Sequence, residues 1–129
     1  MREPTKMINL LLISVVDDDE SVRESLPDLL RELGYEARAF PSARAFLASD
    51  DLKRTRCLIL DVAMPEMTGP ELQQVLESRG SQIHIIFITA HAAEITRPRL
   101  LIGAAVECLM KPFSEKSLID ALKLALPLN

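Results

Sequence analysis

Apolar runs alternate with amphipathic helical patterns along the chain. The first run, residues 8–16, is almost continuously apolar, as is typical of a parallel strand that is covered on both faces. From Val22 to Leu33, apolar residues then recur at the spacing of one helical face, and Gly34 is placed to end that helix. The opening segment therefore predicts a strand followed by a helix.

The same alternation continues to the end of the chain. Five strands that alternate with five helices predict an α/β fold, in which a parallel sheet carries helices on both faces and right-handed crossovers join the strands. After the first strand and helix, the predicted strands are 35–40, 57–60, 83–88 and 105–110, and the predicted helices are 42–48, 70–78, 96–102 and a last one capped by Ser114.

The length of 129 residues suits one domain, and 48% hydrophobic with 26% charged residues is the balance of a folded globular protein. We expect residues 1–6 to be a loose tail and residues 7–129 to form the domain. The net charge of −4 argues against direct nucleic-acid binding. No apolar stretch is long enough to span a membrane, and the acidic run 17–20 stands where a signal peptide would be cleaved. These features predict a cytoplasmic protein without membrane contact.

The two cysteines, Cys57 and Cys108, each lie inside an apolar run. Their separation matches neither a metal motif nor a disulfide framework. We therefore expect two buried free thiols, as in a reducing compartment.

Polar residues follow several of the predicted strands. Because the carboxyl ends of parallel strands meet at one edge of the sheet, where ligands bind in open α/β folds, we expect these residues to converge. They are Asp17, Asp18 and Asp19 after the first strand, Asp61 after the third, Thr89 after the fourth, where Ala90 follows it, and Lys111 after the fifth.

Crowded carboxylates repel one another, so a cation should compensate them, and Mg²⁺ prefers such oxygen ligands. The four glycines form no G-x-G-x-x-G motif and no P-loop, so the pattern favours a cation with a phosphoryl group over a dinucleotide or flavin. The acidic residues could instead be a solvated helix N-terminus, which explains Asp19 and Glu20 equally well. That alternative does not explain why Asp61 ends an apolar strand.

Four segments, found in this order, resemble the signatures of the response-regulator receiver domain. The resemblance runs from about Ile8 to Leu126 and is to receivers of the nitrogen-fixation regulator type, which are often joined to a helix-turn-helix output domain. It implies a flavodoxin-like sheet with strand order 2-1-3-4-5. The segments are VVDDDESVRESL (Val15–Leu26), LDVAMPEMTG (Leu60–Gly69), FITAH (Phe87–His91) and KPF (Lys111–Phe113).

The resemblance implies a phospho-accepting site. Asp61 would accept a phosphoryl group from a sensor histidine kinase or a histidine phosphotransfer protein. Asp18 and Asp61 would bind Mg²⁺ directly, Asp17 would help through a water, and the backbone carbonyl of Ala63 would be a further ligand. The protein would then be a signalling switch and not an enzyme.

The resemblance also implies a route for the signal. Lys111 would offset the phosphoryl charge, while the Thr89 hydroxyl and the Ala90 amide would bind phosphoryl oxygens. Helix four, strand five and helix five would then act on a downstream protein or a fused output domain, and phosphorylation could lead to a homodimer. Where the family has an aromatic residue, this chain has Cys108, whose small side chain lacks the two positions of a ring.

Two alternative functions are compatible with this pattern. A phosphohydrolase of the haloacid dehalogenase type also uses a strand-end aspartate and Mg²⁺, but it needs a second acid where this chain has Ala63. A receiver-like interaction module that works without phosphorylation is supported only by Cys108.

Overall fold

The structure, a computed structural model, describes residues 10–91, 93 and 103–126. Its five strands are all parallel and form one sheet in the order β2-β1-β3-β4-β5, which confirms the predicted fold. The strands are β1 (Leu12–Val16), β2 (Glu36–Phe40), β3 (Thr55–Asp61), β4 (His84–Thr89) and β5 (Ala105–Met110); the helices are α1 (Glu20–Glu32), α2 (Ala43–Leu47), α3 (Gly69–Ser78) and α4 (Glu115–Ala125), with a 3₁₀ turn at Asp50–Arg54.

Most predicted bounds lie within two residues of the observed ones, and β5 matches its prediction. The first strand was predicted to start at residue 8, but β1 starts at Leu12. Leu10 is 54% exposed, so the apolar run continues beyond the covered part of the sheet. The predicted helix 96–102, with Arg97, Pro98 and Arg99, and the predicted tail 1–6 lie outside the described residues. The helix α4 is therefore the fifth helix of the sequence pattern.

Side-chain caps set the starts of the helices that flank the carboxyl edge of the sheet. Asp19 caps α1 by accepting a hydrogen bond from the Ser21 amide at 3.0 Å, which agrees with the helix-terminus interpretation of this residue. Thr68 caps α3 in a reciprocal capping box with Glu71, and Ser114 caps α4 as predicted. The caps leave β-to-α loops directly above the strand ends, where the candidate site lies.

Helices cover both faces of the sheet, and each face has its own apolar core. Leucines and alanines of α1 and α4 fill one core, and those of α2 and α3 fill the other with Phe46. Burial of each such leucine or isoleucine stabilises the fold by roughly 1.5–3 kcal/mol. None of the described helices has the length and apolar character needed to cross a membrane. The strand residues that these helices cover are Ile13, Val15, Ile59, Ile86 and Ile88 on the first face and Val16, Leu58, Leu60, Ile85 and Phe87 on the second.

The strand order reverses between β1 and β3. From β1 the chain moves outward to β2, and it then returns to β3 on the other side of β1 before continuing to β4 and β5. The crossovers consequently diverge at this point and leave a crevice at the carboxyl ends of β1 and β3. Val16 at the end of β1 pairs with Leu60 of β3, so the residues that follow this pair are brought side by side.

Candidate functional site

Three predicted carboxylates meet at the crevice between β1 and β3. Asp17 directly follows β1, and Asp61 is the last residue of β3. Asp17, Asp18 and Asp61 each offer a carboxylate oxygen, and these oxygens all lie within 4.8 Å of one another. Asp17 and Asp61 are buried, whereas Asp18 is exposed, so the cluster is embedded in the sheet edge on one side and open on the other.

The side chain of Lys111 reaches into the same cluster from the loop after β5. Its Nζ donates a hydrogen bond to Asp17 Oδ2 at 2.9 Å and lies 3.8 Å from Asp61 Oδ2. Its backbone amide donates to the Thr89 carbonyl at 2.7 Å, which fixes the loop against the end of β4. The predicted ammonium therefore lies between the two buried carboxylates, 94 residues along the chain from Asp17.

Burial and the neighbouring charge of Asp17 raise the pKa of Asp61 to about 7. Burial by itself lowers the pKa of Lys111, but the hydrogen bond that Lys111 donates to Asp17 and the charges of Asp61 and Asp17 outweigh it and raise that pKa. The cluster therefore holds more negative charge than its single ammonium compensates. A divalent cation with a preference for oxygen ligands would relieve this imbalance, so the donor set fits Mg²⁺.

Hydrogen bonds hold Asp17 in place on every side. Its amide donates to the Phe40 carbonyl of β2 at 3.1 Å, and its Oδ1 accepts from the Asp19 amide at 2.9 Å. The guanidinium of Arg23 donates to the Asp17 carbonyl at 3.0 Å. Sequence reasoning missed Arg23, because an arginine in the first turns of a helix carries no signal that it will turn back to the preceding strand.

The other predicted residues lie at the same edge of the sheet. Thr89 ends β4 and is buried, and its Oγ1 accepts a hydrogen bond from the His91 amide at 3.0 Å. Asp61 pairs with Ile88, the residue before Thr89, so these strand ends are adjacent. Ala90 and Ala63 are exposed in the loops after β4 and β3. Their backbone roles stay predictions.

The two cysteines differ in their environment. Cys57 is a buried free thiol as predicted, and burial raises its pKa to about 12, which keeps the thiol protonated. The prediction of a buried thiol was wrong for Cys108, which is half-buried. Cys108 lies on β5, which is the edge strand among the described residues, and it pairs with Phe87 of β4. Its side chain packs against the core beneath α2 and α3.

Gly69, the first residue of α3, packs closely against the backbone of Asp61 and Val62. Its amide donates to the Val62 carbonyl at 2.9 Å, and a Cβ at this position would collide with the Asp61 carbonyl oxygen. In the sequence Gly69 ends the LDVAMPEMTG motif, which gives no signal of this close approach. A backbone contact of this kind becomes visible only when α3 is docked against β3.

We expect Gly69→Ala to destabilise the protein by about 1–3 kcal/mol, because the added methyl must displace the Asp61 backbone. Urea unfolding measures the loss. Gln74→Ala, on the exposed face of the same helix, is the control and should change stability by less than about 0.5 kcal/mol. Equal stability of the two variants would contradict the close approach.

The chain is similar in sequence to known response regulators. The family model described as "Response regulator receiver domain" matches residues 13–123. Response regulator protein TmoT of Ectopseudomonas mendocina is 41% identical over 117 residues, which are 91% of this chain and 53% of TmoT. This chain thus spans about half the length of the curated relatives that it matches.

Solved structures give the same result. Response regulator StyR is similar with a TM-score of 0.84 and 43% identity, over 94% of this chain and 61% of that one. The structure of FixJ-N is similar with a TM-score of 0.76 and 32% identity, over 92% of this chain and 94% of that one.

Proposed function

Because this chain belongs to the response-regulator receiver family of two-component signalling, we propose that it works in a phosphorelay by accepting a phosphoryl group on Asp61. The observation that carries the proposal is the position of Asp61. Its carboxylate is buried at the end of β3, inside a cluster of three aspartates, with the Lys111 ammonium 3.8 Å away. The proposed donor is the phosphohistidine of a sensor histidine kinase or of a histidine phosphotransfer protein.

In the proposed reaction an Asp61 carboxylate oxygen attacks phosphorus. The new bond from oxygen to phosphorus makes an acyl phosphate, while the phosphorus–nitrogen bond of the donor breaks. The imidazole leaves with the bonding electron pair and takes up a proton. Only the ionised form of Asp61 can attack. Because the pKa of Asp61 is raised to about 7, added positive charge would favour its ionised form and so make the carboxylate reactive.

Asp18 and Asp61 are the proposed direct Mg²⁺ ligands, together with the carbonyl of Ala63, and Asp17 of the same carboxylate cluster would help through a water. The bound ion supplies positive charge against the oxygens of the transferring phosphoryl group. Lys111 would add a second positive charge to the site, because its ammonium contacts Asp17 and faces Asp61. Positioning and charge compensation of this kind are most of what phosphoryl transfer requires.

The signal is proposed to leave the site through β4 and β5. Thr89 would exchange its hydrogen bond from the His91 amide for one to a phosphoryl oxygen, with the Ala90 amide as a second donor. Thr89 pairs with Met110 on β5, so a shift at Thr89 can reach the surface of β5 and α4. That surface would control a downstream protein or a fused output domain, and it could also support a homodimer.

A second candidate is an interaction module that works without phosphorylation. Cys108 favours it, since a thiol two strand positions before Met110 offers no ring that could change its position with Thr89. In this case the fold and the acidic cluster would be retained, but the output surface would stay in one state.

Intact-mass spectrometry after incubation with acetyl phosphate tests the proposed function. With Mg²⁺, the chain should gain one phosphoryl group that hydroxylamine removes, as it does from acyl phosphates, and with EDTA in place of Mg²⁺ it should gain none. Absence of an adduct from either acetyl phosphate or a phosphorylated phosphotransfer protein would overturn the proposal, provided that Mg²⁺ still raises the melting temperature. The second candidate would then be favoured.

Thr89→Val tests the proposed route of the signal. Valine keeps the shape of the buried side chain but removes the hydroxyl. We expect the variant to be phosphorylated, whereas the phosphorylation-dependent changes in the amide NMR signals of β5 should be lost. Ser25→Ala, which removes an exposed hydroxyl on α1, is the control and should leave these changes intact. Unaltered β5 changes in Thr89→Val would contradict the route.

A further inference from the structure

A cleft of about 1130 Å³ lies at the amino ends of the strands, on the edge of the sheet opposite Asp61. Its walls come from the 3₁₀ turn and the start of β3, the end of α3, the loop into β4 and the end of α4. This volume lies just above the roughly 300–1,000 Å³ of a typical small-molecule site, so the cleft has room for a short segment of polypeptide. Its apolar lining is formed by Leu11, Leu52, Leu76, Ile83 and Leu126.

Basic side chains surround this apolar lining. Lys53, Arg56 and Arg79 are all exposed, and none of the described residues that line the cleft is acidic. Among the lysines and arginines of the described ranges, only these three and Lys123 make neither an ion pair nor a hydrogen bond through the side chain. In a chain with a net charge of −4, three of the four unpaired cations among the described residues therefore lie in this one cleft.

An irregularity in the sheet directs Arg56 toward the cleft. Leu12 of β1 pairs with Thr55 of β3, whereas the next residue, Ile13, pairs with Cys57, so Arg56 is skipped in the register. Arg56 is exposed although β3 is an internal strand. Bulges of this kind redirect a side chain and are frequent beside functional sites.

We propose that this cleft, independently of phosphorylation, binds an acidic segment of a partner protein in which carboxylates alternate with aliphatic residues. The carboxylates would form bidentate pairs with Arg56 and Arg79, and the aliphatic side chains would cover the half-buried leucines. The N-terminal residues of this chain have the wrong charge for that role, because residues 1–9 contain Arg2 and Lys6 against one acid, Glu3.

Fluorescence anisotropy with a short fluorescein-labelled peptide of alternating glutamate and leucine tests the proposal on the full chain without a phosphodonor. The peptide should bind, and a peptide with lysine in place of glutamate should not. Arg56→Glu/Arg79→Glu should weaken binding by about tenfold or more. Arg44→Glu/Lys116→Glu is the matched control, because both side chains are more than 80% exposed and lie outside the cleft, and it should change binding by less than about twofold.

Amide NMR signals of Ile83 and Leu126 in the wild-type chain provide a second measurement that does not depend on a variant. They should shift as the acidic peptide is added. The proposal is overturned if the peptide does not bind, if the cleft variant binds as tightly as the control, or if the shifts lie elsewhere. It is also overturned if sedimentation shows a dimer that Arg56→Glu/Arg79→Glu dissociates, since the occupant would then be a second copy of this chain.

Discussion

Asp61→Asn is expected to abolish formation of the acyl phosphate and, in the same protein, to raise the metal-free free energy of unfolding at pH 8 by about 2–4 kcal/mol. The first effect follows because an amide cannot replace the carboxylate nucleophile. The second follows because the variant removes one of two buried negative charges that share a single ammonium. Asp61 would thus be required for phosphorylation and would also destabilise the metal-free protein.

The stability effect has a defined pH dependence. The pKa of Asp61 is about 7 in the folded chain, against an ordinary value of 3.8, so the folded state binds more protons than the unfolded state between these values. The metal-free wild type should therefore lose stability as the pH rises from about 4 to about 7, and lose little more above that. In Asp61→Asn this part of the slope should be absent, so the difference between the two proteins grows over the same window.

Urea unfolding at several pH values, with EDTA, measures the difference. Asp28→Asn is the matched control, because Asp28 is an exposed acid on α1 whose ion pair with Arg31 is a surface pair. It should keep both phosphorylation and the pH slope of the wild type. If Asp61→Asn were no more stable than this control at pH 8, the electrostatic account of the site would be wrong.

Lys111→Gln should have the opposite effect on stability. Without the ammonium, the buried charge of Asp17 loses its 2.9 Å partner, and breaking a buried pair in this way costs about 3–5 kcal/mol. Phosphorylation by acetyl phosphate should slow by about a hundredfold or more, since charge compensation at the phosphoryl group is lost. Mg²⁺ binding should be retained, because Lys111 contributes no ligand.

The same urea and mass measurements, with Mg²⁺ titrated into each protein, test this variant. Lys116→Gln is the control, because its ion pair with Asp120 lies on the surface of α4 and the side chain is 84% exposed. Its stability should change by less than about 1 kcal/mol. Normal phosphorylation of Lys111→Gln would contradict the proposed role of the ammonium, whatever its stability.

Local patterns predicted the helices and strands well. The spacing of apolar residues in a segment shows which face of that helix or strand is buried, whatever it packs against. The alternation of the two periods was enough for the fold class, and Ser114 and Gly34 marked helix ends through local hydrogen bonding and backbone conformation. The same reasoning overestimated β1, since an apolar residue such as Leu10 can lie beyond the covered part of a sheet. It also missed Arg23 and Gly69, whose roles depend on contacts with another element.

The sequence by itself determined that acidic residues would stand at strand ends. The end of an apolar run and the polar residue after it can be recognised without knowing which strands are neighbours. The resemblance of its motifs then named the roles of Asp61 and Lys111. The resemblance also implied the strand order that makes β1 and β3 neighbours, and the structure confirms it. Only the tertiary structure decided the contacts within the site, where the Lys111 ammonium lies 2.9 Å from Asp17 and 3.8 Å from Asp61. The raised pKa of Asp61 and the exposed guanidinium of Arg56 likewise come from packing and register, which act between segments distant in the chain.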